Sequence, residues 1–323
     1  MKHRLLAGCM IVLAIFAALP SVLFCLSERD ILETEAYFDQ AESLSGLVNV
    51  PYRGEIFYYA QNDGLWREMV YETRESKKSR PFGDGGCAPS AVGMAIANMV
   101  AEEELDKVSQ YAKNPYSICS CSVNRYKCRH DHARYLITSV RDFERFLPLI
   151  FADFAAGNNT LGVISRSEDK GTSTGFVHHL ASVYGLSVST TTDYRLAVEA
   201  VKNGQSVVAH SRAGSVFTNT GHYIFLAAAD DERMYVLDPL CREEYTAKNS
   251  KKLTVMQPGL VTFKHEDVSI AGFGGFIIFS DVVSDGNDAP MEEWSESTVP
   301  EETAEEISSE VLPSERENTE TEQ

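Results

Sequence analysis

A cysteine, a histidine and an aspartate in three short, separated stretches could together form a thiol nucleophile. Cys87 lies in the stretch GGCAPS, His222 in TGHY and Asp238 in LDP. In such a set the thiolate attacks a carbonyl carbon, the imidazole carries the proton, and the carboxylate orients the imidazole. These residue types in this order therefore predict acyl transfer through a cysteine.

A fourth stretch, QNDGLW, precedes the cysteine and begins at Gln61. Its side-chain amide is a donor of the kind that binds the oxyanion formed when a carbonyl is attacked. Each of the four residues also has a plainer interpretation. Cys87 alone could be a small buried hydrophobe, His222 a structural histidine, Asp238 the end of a strand before Pro239, and Gln61 an ordinary loop residue.

The elements that would position these residues follow from hydrophobic periodicity. Apolar residues after Cys87 recur at helical spacing, so the sequence predicts Cys87 at a helix N-terminus, where the helix dipole lowers a thiol pKa. Helices are also predicted over 176–184 and 194–201, with Gly204 ending the second. Strands are predicted over 206–210, 223–228, 234–237 and 275–279.

The spacing of His222 and Asp238 itself predicts that they meet. If His222 begins one strand and Asp238 ends the next, a turn at residues 230–233 makes the two strands an antiparallel hairpin. Both side chains then lie at the same end of the sheet. The expected fold class is α+β, with a helical half that carries the cysteine and an antiparallel sheet that carries the histidine and the aspartate.

Charge is spread unevenly along the 323 residues. The net charge is −18, and residues 284–323 hold fourteen acidic residues against one arginine, which leaves −13 in that segment. The rest is nearly balanced and has no basic stripe, which argues against nucleic-acid binding. The acidic segment has few large apolar side chains and is predicted to be a disordered tail.

The N-terminus is typical of a targeting segment. Lys2, His3 and Arg4 precede an apolar run from Leu5 to Leu26, which is long enough to span a bilayer as a helix. Residues 1–26 are therefore read as a signal peptide or a membrane anchor, with the basic end in the cytoplasm and the rest exported. A lead-in segment is predicted over 27–50 and the catalytic domain over 51–283.

The ordered set of stretches resembles the papain-like cysteine peptidases, and among them the bacteriocin-leader-peptidase-like family, family 39 of the cysteine peptidases. The chain is most similar to stand-alone members, which lack a transporter. The likeness covers about residues 50–280, through the stretches YAQNDGLW, GCAPS, GTS, YGL, FTNTGHYI and VLDP.

The resemblance implies a role for each matching residue. Cys87 would be the nucleophile, His222 the general base and then acid, and Asp238 the residue that orients His222. Gln61 would bind the oxyanion together with the backbone N–H of Cys87. Trp66, Gly86 and Gly221 would be structural supports.

The chain departs from the family pattern in two places. Ala88 stands where a glycine commonly follows the family's cysteine, and alanine suits a helix well. The stretch from about 102 to 170 looks longer than in typical members and holds a cysteine and histidine cluster that the resemblance does not account for.

That cluster leaves alternatives open. Cys119, Cys121, Cys128, His130 and His132 could supply tetrahedral zinc ligands. Cys9 and Cys25 lie in the apolar segment and Cys87 is assigned to catalysis, so Cys119, Cys121, Cys128 and Cys241 could instead form two disulfides. The ligand spacing is not a standard zinc-knuckle one, and disulfides or thiols are favoured over a metal. The helical pair His178 and His179 is interpreted as an exposed or capping pair rather than as metal ligands.

The function expected from the sequence is an exported cysteine peptidase that hydrolyses peptide bonds without a cofactor or a metal. Its partner would be a peptide or protein substrate, which could include a cell-wall peptide, and its location extracellular or at the cell surface. A cell-wall amidase or transpeptidase on the same scaffold shares every named residue. A non-catalytic binding module is the other alternative, although a binder has no need for such a residue set.

Overall fold

A computed structural model describes residues 38, 42–124, 127–128, 134–167 and 171–282. The predicted N-terminal segment at 1–26, with Cys9 and Cys25, and the predicted acidic tail at 284–323 lie outside the described residues. His130 and His132 lie outside them as well. The predicted domain boundaries stay predictions.

The described residues hold two layers of structure, a set of helices and a large sheet. The helices, in chain order, are α1 (Phe82–Gly85), α2 (Cys87–Ala97), α3 (Val140–Ala155), α4 (Gly175–Val183) and α5 (Tyr194–Lys202). Three 3₁₀ helices span Glu102–Tyr111, Ser250–Lys252 and His265–Ala271. None of the helices within the described ranges is long and apolar enough to cross a membrane.

Thirteen strands are seen in the described part of the chain. The short pairs are β1 (Gly46–Val50) with β2 (Gly54–Tyr58), β3 (Ser117–Ile118) with β4 (Tyr135–Leu136), and β5 (Arg166–Ser167) with β6 (Gly171–Thr172). The others are β7 (Leu186–Thr191), β8 (Ser206–Ser211), β9 (His222–Ala229), β10 (Arg233–Leu237), β11 (Thr254–Gln257), β12 (Leu260–Lys264) and β13 (Phe273–Asp281). These seven form one antiparallel sheet in the order β11-β12-β10-β9-β8-β13-β7.

The two faces of this sheet bury different sets of side chains because successive strand residues point to opposite faces. On β9, Phe225 and Ala227 join the core that includes helix α2, while Ile224 and Leu226 join the core that includes α5. Central strands covered on both faces read as nearly continuous apolar runs. Strand β9 (HYIFLAAA) has that pattern.

The mixed class of helices and antiparallel sheet is confirmed. The predicted strands and helices are present within one or two residues of their expected bounds. Between β9 and β10, Asp230 Oδ1 accepts hydrogen bonds from the backbone nitrogens of Glu232 and Arg233, each at 2.7 Å. A short acidic side chain that bonds its own following backbone is what fixes this hairpin turn.

Helix α3 is an element that the sequence analysis did not anticipate. It contains Pro148, and Phe146 has non-helical backbone angles (φ −108°, ψ 15°), so the helix kinks where the proline cannot donate a hydrogen bond. Its start carries a recognisable signal, since Ser139 and Asp142 form a reciprocal capping box. Helix α3 packs against α2 and so supports the helix that begins with Cys87.

Candidate active site

Cys87 begins α2 immediately after the one-turn helix α1. The backbone N–H of Gly86 donates to the carbonyl of Phe82 at 2.7 Å, and the phenyl ring of Phe82 lies against Gly86. A Cβ atom at position 86 would lie 2.4 Å from that ring, and one at Gly85 would lie 2.8 Å from the guanidinium of Arg166. The two glycines are therefore required by close packing rather than by an unusual φ angle.

The surroundings of the Cys87 thiol favour its anionic form. Burial raises the pKa of Cys87, but the hydrogen bond and charge of His222 and the backbone N–H groups of Tyr223 and Ala88 outweigh burial and lower the pKa. The N–H of Ala88 is available because the first turn of a helix has no internal acceptors for its N–H groups. The sequence prediction of a helix N-terminus at Cys87 is confirmed.

His222 is the first residue of β9, and Asp238 follows the last residue of β10. The two strands pair with Leu237 opposite Phe225, so both side chains lie at the same end of the hairpin. His222 Nε2 lies 2.7 Å from Asp238 Oδ1. The structure thus brings His222 and Asp238 together as their spacing predicted, and the other ring nitrogen, Nδ1, is left for the Cys87 thiol.

Asp238 is fully buried, and both carboxylate oxygens have hydrogen-bond donors. Oδ1 accepts from His222 and from the N–H of Leu240 at 2.9 Å, and Oδ2 accepts from the hydroxyl of Tyr245 at 2.7 Å. Arg242 lies 3.6 Å from Oδ2. A buried charge is tolerated only when it is paired and hydrogen-bonded, and these contacts meet that requirement.

The same contacts set the titration of the pair. Burial lowers the pKa of His222, but the charge of Asp238 and its hydrogen bond, with the contact to Cys87, outweigh burial and raise the pKa to about 9. Burial raises the pKa of Asp238, while His222, Arg242 and the N–H of Leu240 lower it below the ordinary value. These contacts therefore favour a protonated imidazole at His222, placed between the Asp238 carboxylate and the anionic form of Cys87.

Gln61 is buried beside the segment that leads into Cys87. Its Nε2 donates to the carbonyl of Gly83 at 2.5 Å, and its backbone N–H donates to the carbonyl of Pro239 at 2.7 Å. The latter bond ties Gln61 to the loop that holds Asp238. A primary amide has two N–H donors, so one remains for a ligand, while Oε1 has no hydrogen-bond partner among the described residues.

Two of the three predicted supports have clear structural roles. Trp66 is buried, donates from Nε1 to the carbonyl of Ala60 at 2.9 Å, and meets Phe82 edge-on at 6.5 Å between ring centroids. Gly86 makes the close approach to Phe82 described above. At Gly221, a Cβ atom would lie 3.1 Å from His210 Nε2, which is a tight contact beside His222.

Several residues around the site were missed by the sequence analysis. Tyr245 and Arg242 hold Asp238, and the hydroxyl of Tyr58 donates to the Asp238 carbonyl at 2.7 Å. No sequence motif marks these contacts. His210, which had no assigned role, lies with its ring 5.0 Å from that of Tyr223, and burial, Arg212 and His222 lower the pKa of His210.

The candidate cysteine cluster separates into two places. Cys119, Cys121 and Cys128 come together, and Cys121 Sγ lies 3.5 Å from each of the other two sulfurs. A disulfide needs about 2.05 Å, so neither of these two separations is a disulfide bond. Cys241 lies instead beside Tyr58 and Asp238. Of the two arrangements that the sequence favoured over a metal, the structure has thiols and not two disulfides. His178 and His179 are exposed on α4, as predicted.

The sequence was compared with models of known protein families. The profile of the Peptidase_C39 like family matches residues 55–256, a range that includes Gln61, Cys87, His222 and Asp238. The chain belongs to the Peptidase_C39 like family. The family resemblance predicted from the sequence is therefore confirmed.

The chain was also compared with solved structures and with curated proteins. A crystal structure of a protein from Bacillus anthracis, described as a C39-like peptidase, is 14% identical over 67% of this chain and 97% of its own chain, with a TM-score of 0.29. A search among curated proteins found no match. Membership of the C39-like peptidases is consistent with cysteine peptidase chemistry acting on peptide or protein substrates.

Proposed function

We propose that this chain is a cysteine peptidase of papain-like architecture, in which the helix α2 carries the nucleophile and the sheet carries its acid–base partner. The observation that supports the proposal most strongly is the continuous contact from Asp238 through His222 to Cys87. It consists of a 2.7 Å bond between imidazole and carboxylate, together with an interaction between the imidazole and the Cys87 thiol that lowers the pKa of Cys87.

The proposed reaction begins from the thiolate and imidazolium pair. The Cys87 thiolate attacks the carbonyl carbon of the scissile peptide bond, and the electron pair of the C=O bond moves onto oxygen. The backbone N–H of Cys87 and the remaining N–H of Gln61 would bind this oxyanion. When the oxyanion collapses, the C–N bond breaks and His222 Nδ1 gives its proton to the leaving amine.

Hydrolysis of the acyl-enzyme completes the cycle. The neutral His222 takes a proton from water, the hydroxide attacks the thioester carbonyl, and the Cys87 thiolate leaves as the carboxylic acid product forms. Asp238 keeps Nε2 protonated throughout and directs Nδ1 at the reaction. No step in this scheme needs a cofactor or a metal.

We also propose that the enzyme works outside the cytoplasm. The support is the basic residues Lys2, His3 and Arg4 followed by the apolar run to Leu26. Fractionation of cells that express the full chain, with N-terminal sequencing of the product, separates a cleaved signal peptide from an anchor. Full-length protein in the cytosol would overturn this part of the proposal.

Alkylation of the purified full chain tests the activated nucleophile. Iodoacetamide labelling of Cys87, followed by mass spectrometry from about pH 5 to about pH 9, should give an apparent pKa below the free-thiol value of ~8.5. In His222→Ala the pKa should rise to that value or above, because burial then acts without the imidazole. Slow labelling that is the same in both proteins would favour a non-catalytic binding module.

Turnover separates a peptidase from an amidase on the same scaffold. The full chain is incubated with a peptide library and, in parallel, with purified cell-wall fragments, and Cys87→Ala serves as the blank. Cleavage of linear peptides that the variant loses supports the proposal. Cleavage confined to wall fragments would replace the peptidase by a cell-wall amidase or endopeptidase.

A further inference from the structure

The structure places three cysteines outside the proposed active site in one cluster. The Sγ atoms of Cys119, Cys121 and Cys128 all lie within 4.8 Å of one another, with two of the three separations at 3.5 Å. Thiolates bound to one zinc ion at about 2.3 Å in tetrahedral geometry lie about 3.8 Å apart. The observed spacing therefore suits three ligands of one ion better than it suits a covalent pair.

We propose that Cys119, Cys121 and Cys128 form a binding site for one thiophilic divalent cation, with Zn²⁺ as the natural occupant. Thiolate ligands select soft or borderline metals such as zinc over magnesium and calcium. Three sulfurs fill three positions of a tetrahedron, and the fourth ligand comes from outside these three residues.

The backbone around the cluster is already organised. The N–H of Ser122 donates to the carbonyl of Cys119 at 3.1 Å, which closes a tight turn and brings Cys119 and Cys121 to one side. The N–H of Val70 donates to the carbonyl of Cys121, and the N–H of Val123 donates to the carbonyl of Val70, each at 3.0 Å. Cys119 and Cys121 therefore lie on a segment that is fixed to Val70 by two backbone hydrogen bonds.

A positive charge lies beside the cluster and suits a metal centre with a net negative charge. Three thiolates and one Zn²⁺ carry a net charge of −1. The guanidinium of Arg134 lies within electrostatic range of all three cysteines and donates to the carbonyls of Ser122 at 2.7 Å and Val123 at 3.3 Å. Its Nε and Nη1 have no hydrogen-bond partner among the described residues, so this cation has donors to offer to metal-bound sulfur.

The position of the cluster indicates a structural role for the ion. Val70, which is bonded to the cysteine segment, is next to Met69, whose carbonyl accepts from the N–H of Phe82 at 2.7 Å. Phe82 begins α1, the turn that precedes Cys87. A metal at the cluster would fasten the long 102–170 region to the segment that positions the nucleophile.

Metal analysis of the full chain tests this site. The protein is reduced, stripped with a chelator, mixed with excess Zn²⁺ under anaerobic conditions and desalted, and its zinc is measured by inductively coupled plasma mass spectrometry. We expect about one zinc per chain in the unmodified protein and in Cys241→Ser, which removes a cysteine outside the cluster. Cys121→Ser should lose most of its bound zinc on desalting, because it removes one of the three sulfur ligands.

Cobalt substitution gives a readout that does not depend on a variant folding. Co²⁺ added to the reduced, metal-free full chain should produce sulfur-to-cobalt charge-transfer absorption, and added Zn²⁺ should abolish it. Absence of both zinc retention and this absorption would overturn the proposal. Zinc that persists unchanged in a folded Cys121→Ser protein, or a disulfide between two of the three cysteines that reforms in preference to metal binding, would also overturn it.

Discussion

The thiols of Cys87 and Cys121 are both partly enclosed, yet their surroundings move their pKa values in opposite directions. Burial raises the pKa of Cys87, but His222 and two backbone N–H groups lower it further than burial raises it. At Cys121, burial and then the neighbouring thiols of Cys119 and Cys128 raise the pKa to about 12. Enclosure alone therefore does not determine thiol reactivity.

The difference teaches which neighbours each kind of chemistry needs. A nucleophile needs a cation and N–H donors, which stabilise a single thiolate before the substrate arrives. A cluster of thiols repels its own negative charges until a cation enters. The region that contains His222 and Asp238 supplies the first kind of environment, and the segment after β3 supplies the second.

Replacement of Asp238 by asparagine should have the largest effect on the surroundings that distinguish Cys87 from Cys121. The variant removes the charge that raises the pKa of His222, so turnover should fall by about 10²- to 10⁴-fold. In the unmodified chain the alkaline limb of kcat/KM, where His222 loses its proton, should lie at about pH 9. In Asp238→Asn that limb should move toward ~6.5, the free-histidine value, in a measured pH–rate profile.

Tyr245→Phe is the matched control for this prediction. It removes the 2.7 Å hydrogen bond to the same carboxylate while it keeps the negative charge. The alkaline limb should therefore stay close to pH 9, with a smaller loss of rate. An unchanged limb in Asp238→Asn would mean that Asp238 does not set the charge state of His222.

Gln61→Ala should give the next largest effect and should separate thiol activation from oxyanion binding. Loss of one oxyanion donor costs about 10²- to 10³-fold in kcat. Alkylation by iodoacetamide displaces iodide and develops no oxyanion, so the labelling rate of Cys87 should be unchanged. Parallel measurement of kcat and labelling in Gln61→Ala and in Asn62→Ala, the adjacent amide, tests this separation. Equal losses in both assays would assign Gln61 to positioning of Cys87 instead.

Competitive labelling measures the contrast between the two thiols directly. In the reduced, metal-free full chain at neutral pH, Cys87 should react with iodoacetamide at least about 30-fold faster than Cys121. The thiolate fractions differ by more, but a thiol of higher pKa gives a more nucleophilic thiolate, which offsets part of the difference. Peptide mapping after short labelling times gives both rates. Comparable rates would contradict the opposite pKa directions on which the comparison rests.

Much of the sheet region could be predicted from the sequence because it depends on patterns of neighbouring residues along the chain. The apolar runs of β9 and β10 are separated by a turn with acidic residues, and that alone brings His222 and Asp238 to one end of a hairpin. The placement of Cys87 at a helix start follows in the same way from the periodicity after it. These expectations needed no knowledge of how distant segments pack.

Other features depend on contacts between distant segments and left no pattern to read. Tyr245 and Arg242 meet Asp238 because the loop after β10 folds back over it. The cysteine cluster depends on how the 119–123 segment pairs with Val70. The spacing of the cysteines in the sequence therefore argued against a metal, whereas the distances between their sulfur atoms favour one. The roles of the four proposed active-site residues stay predictions until activity is measured.

Gly86→Ala should give the smallest effect and tests the packing that positions Cys87. The new methyl group would lie 2.4 Å from the ring of Phe82, which is buried between Trp66 and Tyr71 and has little room to move. Overpacking of this kind costs about 1–3 kcal/mol, which corresponds to a decrease in Tm of about 2–12 °C for a domain of this size. Thermal unfolding of Gly86→Ala, Phe82→Leu and the double variant gives the coupling between the two sites. If the clash is the cause, the double variant loses less stability than the sum of the single variants, and strictly additive losses would show that Gly86 is required for another reason.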